Sequence, residues 1–496
     1  MKKKLLFLSI ASLLLASAFL GIVQLRRGSI SPMLVAASAE GTQRETNVPA
    51  HVASAHATVR EFGAIGDGKA DDTEAFQQAV DSACGDVHIP RGIYRLTKPV
   101  VLDPDRVGPV SLIGHGTAKI LMEGPGAAFK LVGTHGGTAS PTTVKENVWQ
   151  KQRMPVVSGL EIVGAHPRAC GIEATGTMQA TFSRLLIRKA LHGIHLAGRN
   201  RNVIISDCHV YENRGIGIYL DNVNLHQINI SNCHISYNGG GGIVVRAGEV
   251  RNLQVGNCDI EGNMDPEGPP TANVLLDARE GSIREGAIVG CTIQHSHEAP
   301  ESANIRLLGR GPEDERKVGN LTIANNVLSD VGVNIHIRHG RGVVITGNTF
   351  WKGFSHNLLI EGSSNIVVGS NLFDRNPDYK PADSRNAIVF RDCADCTLTG
   401  LHVRNTLDVP AGLILKDCRR FNVTNCSMLD CDNCGILLED VDHVRVSDCL
   451  ILDSRPGSEK PTSLRLTKGR DNMVLNNLVN GKVEIADGSA RVRNSE

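Results

Sequence analysis

The chain has 496 residues, of which 41% are apolar and only 4% aromatic, and it contains 52 glycines. Lys and Arg together number 52, as do Asp and Glu, so the formal net charge is zero. A chain of this length can bury a large core, but scarce aromatic residues and many glycines favour thin layers with many turns. The lack of a basic excess argues against a nucleic-acid partner.

The N-terminal residues have the pattern of an export signal. Lysines at positions 2–4 precede an apolar stretch at 5–23, which is the order found in secretory signals. An uncleaved stretch of this length can also span a bilayer. Residues 1–39 are therefore predicted to be a signal peptide or membrane anchor, and the protein to be secreted, periplasmic or on the cell surface. A membrane is an expected partner only without cleavage, and the small, polar residues 40–57 predict a linker.

Residues 58–96 predict a small unit at the start of the folded chain. Asp71 or Asp72 is expected to cap a short helix whose apolar residues lie on one face. Short runs at 87–89 and 93–96 predict two strands. We interpret the unit as a cap, because the first layer of a repeat structure would otherwise expose apolar core and strand edges.

The remaining residues, 97–496, consist of repeats. Cys208, Cys233 and Cys258 lie 25 residues apart, each directly after Asp or Asn and among short runs in which apolar and polar residues alternate. Such alternation predicts strands with one buried face. Residues 97–496 are therefore predicted to form an all-β solenoid, a parallel β-helix with three strands per coil and roughly 12 coils.

The position of these cysteines is predicted to face inward. Later copies of the repeat fill it with Cys291, Asn326, Asn348, Asn371, Leu401, Cys426, Cys449 and Asn477. A buried Cys acts as a small hydrophobic residue, whereas an Asn can bond to the Asn of the coils above and below. A disulfide between Cys393 and Cys418, at equivalent positions of neighbouring coils, is an open alternative in an exported protein.

The cap resembles a known family. Its sequences Phe62-Gly-Ala-Ile-Gly-Asp-Gly68, Asp71-Asp-Thr73 and Pro90-Arg-Gly-Ile-Tyr94 look like the opening of the pectate-lyase-type right-handed β-helix superfamily. That superfamily includes rhamnogalacturonases, polygalacturonases, uronan epimerases and phage tailspikes. The resemblance implies a right-handed coil and a polysaccharide ligand. The Asn-Thr-Asp of polygalacturonase-like hydrolases is replaced by Asn348-Thr-Phe350.

The outward side chains of the strand that opens each coil predict the functional surface. Aligned repeats give a first column of His195, Gly217, Val244, Leu275, Arg306, His336, Leu359 and Val389. The second column is Tyr219, Arg246, Asp277, Leu308, Arg338, Glu361, Arg391, Lys416 and Glu439. Four coils carry an insertion before this strand, at 262–272, 296–303, 374–385 and 454–462. One further insertion, at 309–317, follows the strand. Loops clustered on one side of a rigid scaffold favour a binding site there, and in the resembled family this strand lines the saccharide cleft.

The two columns favour an acidic polysaccharide as ligand, because Arg binds carboxylates bidentately. The preferred hypothesis is a lyase that cleaves a uronate-containing, pectin-like polymer, with His336 as base and Arg338 and Arg306 neutralising charge. The expected substrate-binding residues are Tyr219, Arg246, Asp277, Glu361 and Arg391. Calcium is a candidate cofactor, through Asp277 or loop carboxylates. A monomer is expected.

Two alternatives remain open at this point. A polygalacturonase-like hydrolase would need two carboxylates across the scissile bond, and the only pair in the columns is Asp277 with Glu361. These lie three coils apart, about 14 Å at the spacing of neighbouring strands. The other alternative is a non-catalytic solenoid that binds a polysaccharide or coats a surface, in which the charged column is a ladder of exposed ion pairs.

Overall fold

The computed structural model describes residues 56–82, 85–380, 383–457 and 460–493. The predicted export signal and nearly all of the predicted linker lie outside the described residues. No helix in the described ranges is long and apolar enough to cross a membrane.

The chain from residue 56 onward is a parallel β-helix whose coils stack strand on strand in three sheets. The first sheet has fifteen strands in the described residues, more than the roughly 12 coils predicted. These strands are Val100–Leu102, Gly126–Val132, Ala169–Thr175, Ile194–Ser206, Ile218–Ser231, Ile243–Arg246, Val274–Asp277, Ala303–Leu308, Val331–Arg338, Gly353–Glu361, Ala387–Arg391, Leu413–Lys416, Cys434–Glu439, Thr462–Leu466 and Val483–Ile485.

The other two sheets complete each coil. Ile194–Ser206 and Ile218–Ser231 continue from the first sheet into the second, and Ser111–Met122 and Val156–Gly164 continue from the second into the third. The second sheet also contains His56–Thr58, Asp86–His88, Thr177–Met178, Thr181–Ser183, Glu249–Gly256, Ser282–Val289, Val318–Ala324, Arg341–Thr346, Ser364–Val368, Ala394–Thr399, Arg419–Thr424, Val441–Ser447, Gly469–Arg470, Asn472–Leu475 and Ala490–Arg493.

The third sheet lies between the second sheet of one coil and the first sheet of the next. Its remaining strands are Asp67–Asp71, Gly92–Leu96, Leu186–Arg188, His209–Tyr211, His234–Ser236, Asp259–Glu261, Thr292–Gln294, Val327–Leu328, Thr349–Trp351, Leu372–Asp374, His402–Arg404, Ser427–Leu429, Leu450–Leu452 and Leu478–Val479. Inward side chains of all three sheets form one continuous core.

Helices are few and short among the described residues. The α-helices are Thr73–Asp81 and Pro104–Val107, the 3-10 helices are Val59–Phe62, Pro141–Thr143, Pro312–Lys317 and Pro377–Tyr379, and Val148–Gln152 is a π-helix. The helix Thr73–Asp81 lies in the predicted cap and buries Phe76, whose ring centroid is 5.2 Å from that of Tyr94 and 6.4 Å from that of Phe129. It thereby covers the apolar interior of the first coils.

The carboxylates at the start of this helix do not act as expected. Asp72 precedes the helix, but its carboxylate accepts hydrogen bonds from the backbone N–H groups of Ile65 and Gly66, at 2.6 and 3.2 Å. It is the Asp71 carboxylate that accepts from the N–H of Thr73, at 3.1 Å.

A left-handed residue turns the chain before each inward cysteine. The φ angles of Asp207, Asn232 and Asn257 are 56°, 54° and 53°. Asn and Asp adopt this conformation more readily than other non-glycine residues. This requirement explains the recurring Asp-Cys and Asn-Cys pairs of the sequence.

The predicted inward ladder is present. Asn326 donates to the side-chain oxygen of Asn348, and Asn348 donates to that of Asn371, both at 3.0 Å. The cysteines at this position are buried free thiols, namely Cys208, Cys233, Cys258, Cys291, Cys426 and Cys449. Cys393 and Cys418 are also free thiols, so the structure does not contain the disulfide considered between them.

A second asparagine ladder was not predicted, although it is longer. It joins the side chains of Asn213, Asn238, Asn263, Asn273, Asn304, Asn334 and Asn357 at N···O distances of 2.8 to 2.9 Å. Of its last four members, Asn273 directly precedes a strand of the first sheet and the other three lie in such strands. Asn304 and Asn334 stand two residues before Arg306 and His336, so this ladder fixes the backbone directly beneath the predicted site.

Candidate functional site

The outward side chains of the first sheet form two columns, as predicted, with an error in one coil. The first column is His195, Tyr219, Val244, Leu275, Arg306, His336, Leu359 and Val389. The second is Asp221, Arg246, Asp277, Leu308, Arg338, Glu361, Arg391, Lys416 and Glu439.

Tyr219 therefore belongs to the first column, where Gly217 was expected, and Asp221 takes the position expected for Tyr219. The alignment was wrong by two residues in that coil. Side chains alternate with period two along a strand, so a shift of two leaves the inward and outward assignments unchanged. The hydrophobic pattern alone cannot detect such an error.

Five of the eight predicted site residues line one cleft of about 370 Å³: Arg246, Asp277, Arg306, His336 and Arg338. Its walls include Pro270, Glu301 and Arg310, which belong to the insertions at 262–272, 296–303 and 309–317. The insertion at 374–385, expected to flank the site, contributes no lining residue. Tyr219, Glu361 and Arg391 lie outside the lining, although Glu361 contacts His336.

The cleft is strongly basic in a chain whose formal net charge is zero. Five arginines and two carboxylates line it, an excess of three positive charges. The arginines are Arg246, Arg279, Arg306, Arg310 and Arg338. A concave surface of one charge sign concentrates ligands of the opposite sign.

Arg306, predicted as an outward side chain of the first column, is the buried cation of the cleft. It is 5% exposed, and its Nη1 donates to the carbonyl of Thr271 at 3.2 Å while its Nη2 donates to that of Glu301. Its Nε is buried without a hydrogen-bond partner. Burial lowers the pKa of the guanidinium, and the charge of Glu301 opposes this only in part. Among the described residues no carboxylate is bonded to this guanidinium.

His336 forms a pair with Glu361. Its Nε2 lies 3.1 Å from Glu361 Oε2, whereas its Nδ1 is shielded from solvent and has no hydrogen-bond partner. Burial lowers the pKa of the imidazole, as does Arg306, while the hydrogen bond to Glu361 opposes the shift. The ring is therefore neutral at neutral pH. A carboxylate accepts hydrogen bonds, so we assign the proton to Nε2, which leaves Nδ1 as the basic nitrogen.

Asp277 is held by a neighbouring arginine rather than offered to a ligand. It is 4% exposed, and Arg279 donates to its two oxygens through Nε at 2.9 Å and Nη2 at 2.6 Å. Burial alone would raise the pKa of this carboxyl, but the hydrogen bonds and charge of Arg279 and the charge of Arg246 lower it. Asp277 is thus an ionised, occupied carboxylate.

No group of three or more His, Cys, Asp or Glu side chains in the described residues is placed to hold a metal ion. Because Arg279 occupies the carboxylate of Asp277, the calcium site considered there lacks a fitting set of ligands.

Several residues of the site were missed from the sequence. Arg279 and Arg310 stand two positions after the second-column residues Asp277 and Leu308. Continuing the inward–outward alternation of those two strands to the next outward position would have identified them. His356, which does not line the cleft but interacts electrostatically with His336, carried no such signal, because the strand register shifts beside it. Burial lowers the pKa of His356 to about 4, and the charge of His336 adds to the effect.

Two family models match parts of the chain, neither covering half of it. The model described as "Right handed beta helix region" matches residues 149–283, and that described as "Periplasmic copper-binding protein (NosD)" matches residues 287–494. Neither is a model of a pectate lyase. No curated protein matches the chain in sequence.

Solved structures with a similar fold include the A-module of the mannuronan C-5 epimerase AlgE4 of Azotobacter vinelandii. It is 13% identical, the match covers 88% of this chain and 99% of that one, and the TM-score is 0.42. Tailspike protein 3 of bacteriophage CBA120 is 13% identical; the match covers 90% of this chain and 64% of that one, with a TM-score of 0.46. The tailspike protein gp49 of Pseudomonas phage LKA1 is 13% identical; the match covers 88% of this chain and 84% of that one, with a TM-score of 0.48.

At such identities the likeness to solved structures concerns the fold alone. The parallel strand pairing of the three sheets agrees with the match of residues 149–283 to the family described as a right-handed β-helix region. The chain is a right-handed parallel β-helix protein.

Proposed function

We propose that the protein is exported, binds an acidic, uronate-containing polysaccharide along its first sheet, and cleaves it as a lyase. The observation that carries the proposal is Arg306, a guanidinium that is buried in a basic cleft and bonded to no carboxylate in the described part of the chain. A buried charge that is hydrogen-bonded only to neutral carbonyl groups is costly, and an anion supplied by the ligand offsets that cost. A uronate carboxylate fits, because a guanidinium binds it through paired hydrogen bonds.

The chemistry of a lyase suits the neutral state of His336. In β-elimination a base removes the C5 proton, the electron pair forms the C4–C5 double bond, and the bond between C4 and the glycosidic oxygen breaks. His336 Nδ1 is the base, with Glu361 orienting the ring through Nε2. Arg306 and Arg338 stabilise the negative charge that develops on the uronate, and the departing oxygen takes a proton from solvent. Since Nδ1 is shielded, the ring must turn towards the cleft when the substrate enters.

Hydrolysis is less well supported by the same residues. A hydrolase needs one carboxyl group that is protonated, to serve as the acid. Asp277 is bound by Arg279, which lowers the pKa of its carboxyl, and Glu361 interacts with both His336 and Arg391. Asp277 therefore favours the ionised state, and both oxygens of Glu361 are already engaged by protein side chains.

A non-catalytic polysaccharide-binding protein is the second candidate. One observation favours it, namely the shielding of His336 Nδ1, since binding alone needs no base to reach the ligand. The cleft arginines would act in the same way in both functions.

Export is supported by the apolar stretch after the N-terminal lysines. The word periplasmic in the description of the model matching residues 287–494 agrees with it. The copper of that description is not adopted, because the described residues present no fitting ligand set.

The test is incubation of purified protein with polygalacturonate, alginate and other uronans, followed by the ultraviolet absorbance of the unsaturated product and by binding calorimetry. Arg338→Ala and His336→Ala are each expected to reduce turnover at least tenfold, because each removes a charge-assisted or proton-transfer interaction. Thermal melts establish that both variants are folded.

The matched control is His402→Ala with Arg445→Ala, which alters exposed residues of the third and second sheets. The control is expected to leave binding and turnover unchanged. Binding without unsaturated product would support the non-catalytic alternative. Loss of binding in the control as large as in Arg338→Ala, or no binding to any uronan, would contradict the assignment of the cleft.

A further inference from the structure

The arrangement around His336 recurs nearer the N-terminal end of the first sheet. His336 stands in the first column, Glu361 in the second column of the next coil, and Arg391 in the second column of the coil after that. His195, Asp221 and Arg246 hold the same three positions in an earlier set of coils. The fold thus presents one histidine–carboxylate–arginine constellation twice on one surface.

The two constellations share their central contact. His195 Nε2 lies 3.1 Å from Asp221 Oδ2, the same distance as from His336 Nε2 to Glu361 Oε2. In the later constellation Arg391 Nη1 is 3.0 Å from the other oxygen of Glu361. In the earlier one Arg246 is exposed and faces the cleft, so its guanidinium remains available to a ligand.

The earlier constellation differs by gaining a hydrogen-bond donor. Tyr219 takes the first-column position that Leu359 holds in the later one. Its ring lies against that of His195, with centroids 5.3 Å apart and planes 11° apart. Burial raises the pKa of the Tyr219 phenol, and Asp221 adds to the effect. The phenol therefore keeps its proton, and a sugar oxygen that accepts this proton must compete with Asp221.

A nearby neutral histidine fixes the geometry of this group. The ring centroid of His192 is 5.1 Å from that of Tyr219, and its Nδ1 accepts the backbone N–H of Ile216 at 3.1 Å. Burial lowers the pKa of His192 to about 4, helped by His195 and Arg246 and opposed by Asp221. His192 is therefore uncharged, and Arg246 supplies the positive charge of the group.

The two constellations are close enough for one extended ligand. His195 and His336 are separated by five coil steps in register, about 24 Å at the spacing of parallel strands. Between them Val244 and Leu275 pack beneath Ala272 of an insertion, which closes the first column. Arg246 in the second column lines the cleft and also lies in the earlier constellation, so a basic path connects the two along this column.

We propose that His195, Tyr219 and Asp221 form a second subsite for the same acidic polysaccharide, which crosses Arg246 to reach the cleft. The inference rests on the proposed function and adds that the ligand must be long enough to span both constellations. A purely structural ion pair would instead stabilise the coil and have no effect that depends on ligand length.

The test measures affinity for oligogalacturonates and oligoalginates, each as a series of increasing length. Wild-type affinity is expected to rise with length and then level off once both constellations are spanned. Tyr219→Phe and His195→Ala are each expected to weaken binding of the long oligomers about tenfold, the effect of losing one or two polar contacts. Neither substitution should change the affinity for the short oligomers. Tyr219→Phe keeps the ring and its packing, so it guards against loss of folding.

The controls separate this inference from the proposed function. Arg338→Ala is expected to weaken binding of short and long oligomers alike. His209→Ala, which alters an exposed residue of the third sheet, is expected to weaken binding of neither. Equal losses at all lengths, or none, in Tyr219→Phe and His195→Ala would overturn the second subsite while leaving the cleft in place. A wild-type protein that binds no oligomer of either series would overturn the proposed function itself.

Discussion

Replacing Asn304 by Leu tests whether the second asparagine ladder supports the site. The Nδ2 of Asn304 donates to the carbonyl of Ser329 at 2.9 Å and to the Oδ1 of Asn334 at 2.8 Å. Its own Oδ1 accepts from the Nδ2 of Asn273 at 2.8 Å. Leucine is close in size to asparagine but can make none of these hydrogen bonds. The substitution therefore removes the bonds with little change in volume.

The magnitude follows from the groups that lose a partner. Ser329 and Asn334 are fully buried, so water cannot replace the lost donor. Asn273 keeps one bond, because its Nδ2 also donates to the carbonyl of Gln294 at 2.9 Å. With about 1–3 kcal/mol for each buried polar group that loses its partner, Asn304→Leu is expected to reduce the free energy of unfolding by about 3 kcal/mol. Binding should weaken as well, because Arg306 lies two residues further along the strand.

The assay is denaturant unfolding followed by circular dichroism, with ligand binding measured on the same samples. Asn229→Leu is the control, since Asn229 lies in a strand, is exposed and takes no part in either ladder. It should change the free energy of unfolding by less than about 0.5 kcal/mol. If both variants unfold at the same denaturant concentration as the wild type, the ladder contributes nothing to stability. If Asn304→Leu is destabilised but binds normally, the ladder does not position the cleft.

Three further predictions concern the pH response and the cap. The pKa of His336 is lowered overall and Glu361 opposes that lowering, so Glu361→Gln should lower the pKa further and move the acid limb of the activity–pH profile to lower pH; a shift to higher pH would contradict the pairing. Burial lowers the pKa of His356 from 6.5 to about 4, so the folded state resists protonation and loses stability as the pH falls from 6.5 towards 4. His356→Asn should lose less stability over that interval in thermal melts, and equal losses would refute this. Deleting residues 58–96 should give an aggregating chain, because Phe76 covers the core of the first coils; a soluble, cooperatively melting truncation would argue against a cap.

Most of the fold was predictable because the sequence repeats its structural requirements. The Asp or Asn before each inward cysteine indicates a corner in the left-handed backbone conformation. The alternation of apolar and polar residues on either side indicates strands with one face towards a core. The ladder of Asn326, Asn348 and Asn371 followed from their equivalent positions. The longer asparagine ladder could not be predicted in this way, because it passes from the ends of third-sheet strands to first-sheet strands across an insertion. Asn263 and Asn273, which are only ten residues apart in the chain, are bonded within it.

The site was predictable as a surface but not as a set of contacts. The outward columns follow from alternation, and Arg246, Arg306, His336 and Arg338 do meet in one cleft. The exposure of each side chain depends on how the insertions fold over the columns, which no periodicity describes. Arg306 was expected among the outward side chains, and it is buried where it donates hydrogen bonds to Thr271 and Glu301, one from each of two insertions.

The pairing of charges in the second column distinguishes a ligand site from a stability ladder. Asp277 stands beside Arg246 in register, yet its carboxylate bonds to Arg279. Glu361 stands beside Arg338 in register, yet its carboxylate interacts with His336 and Arg391.

In the part of the chain that the structure describes, Arg246 and Arg338 consequently have no carboxylate within 4 Å. A ladder that served only stability would pair these neighbours, since opposite charges on adjacent strands attract. The carboxylates are instead bound to other groups, and the arginines left without them line the cleft. That arrangement is expected of a surface whose missing negative charges are supplied by a bound polyanion.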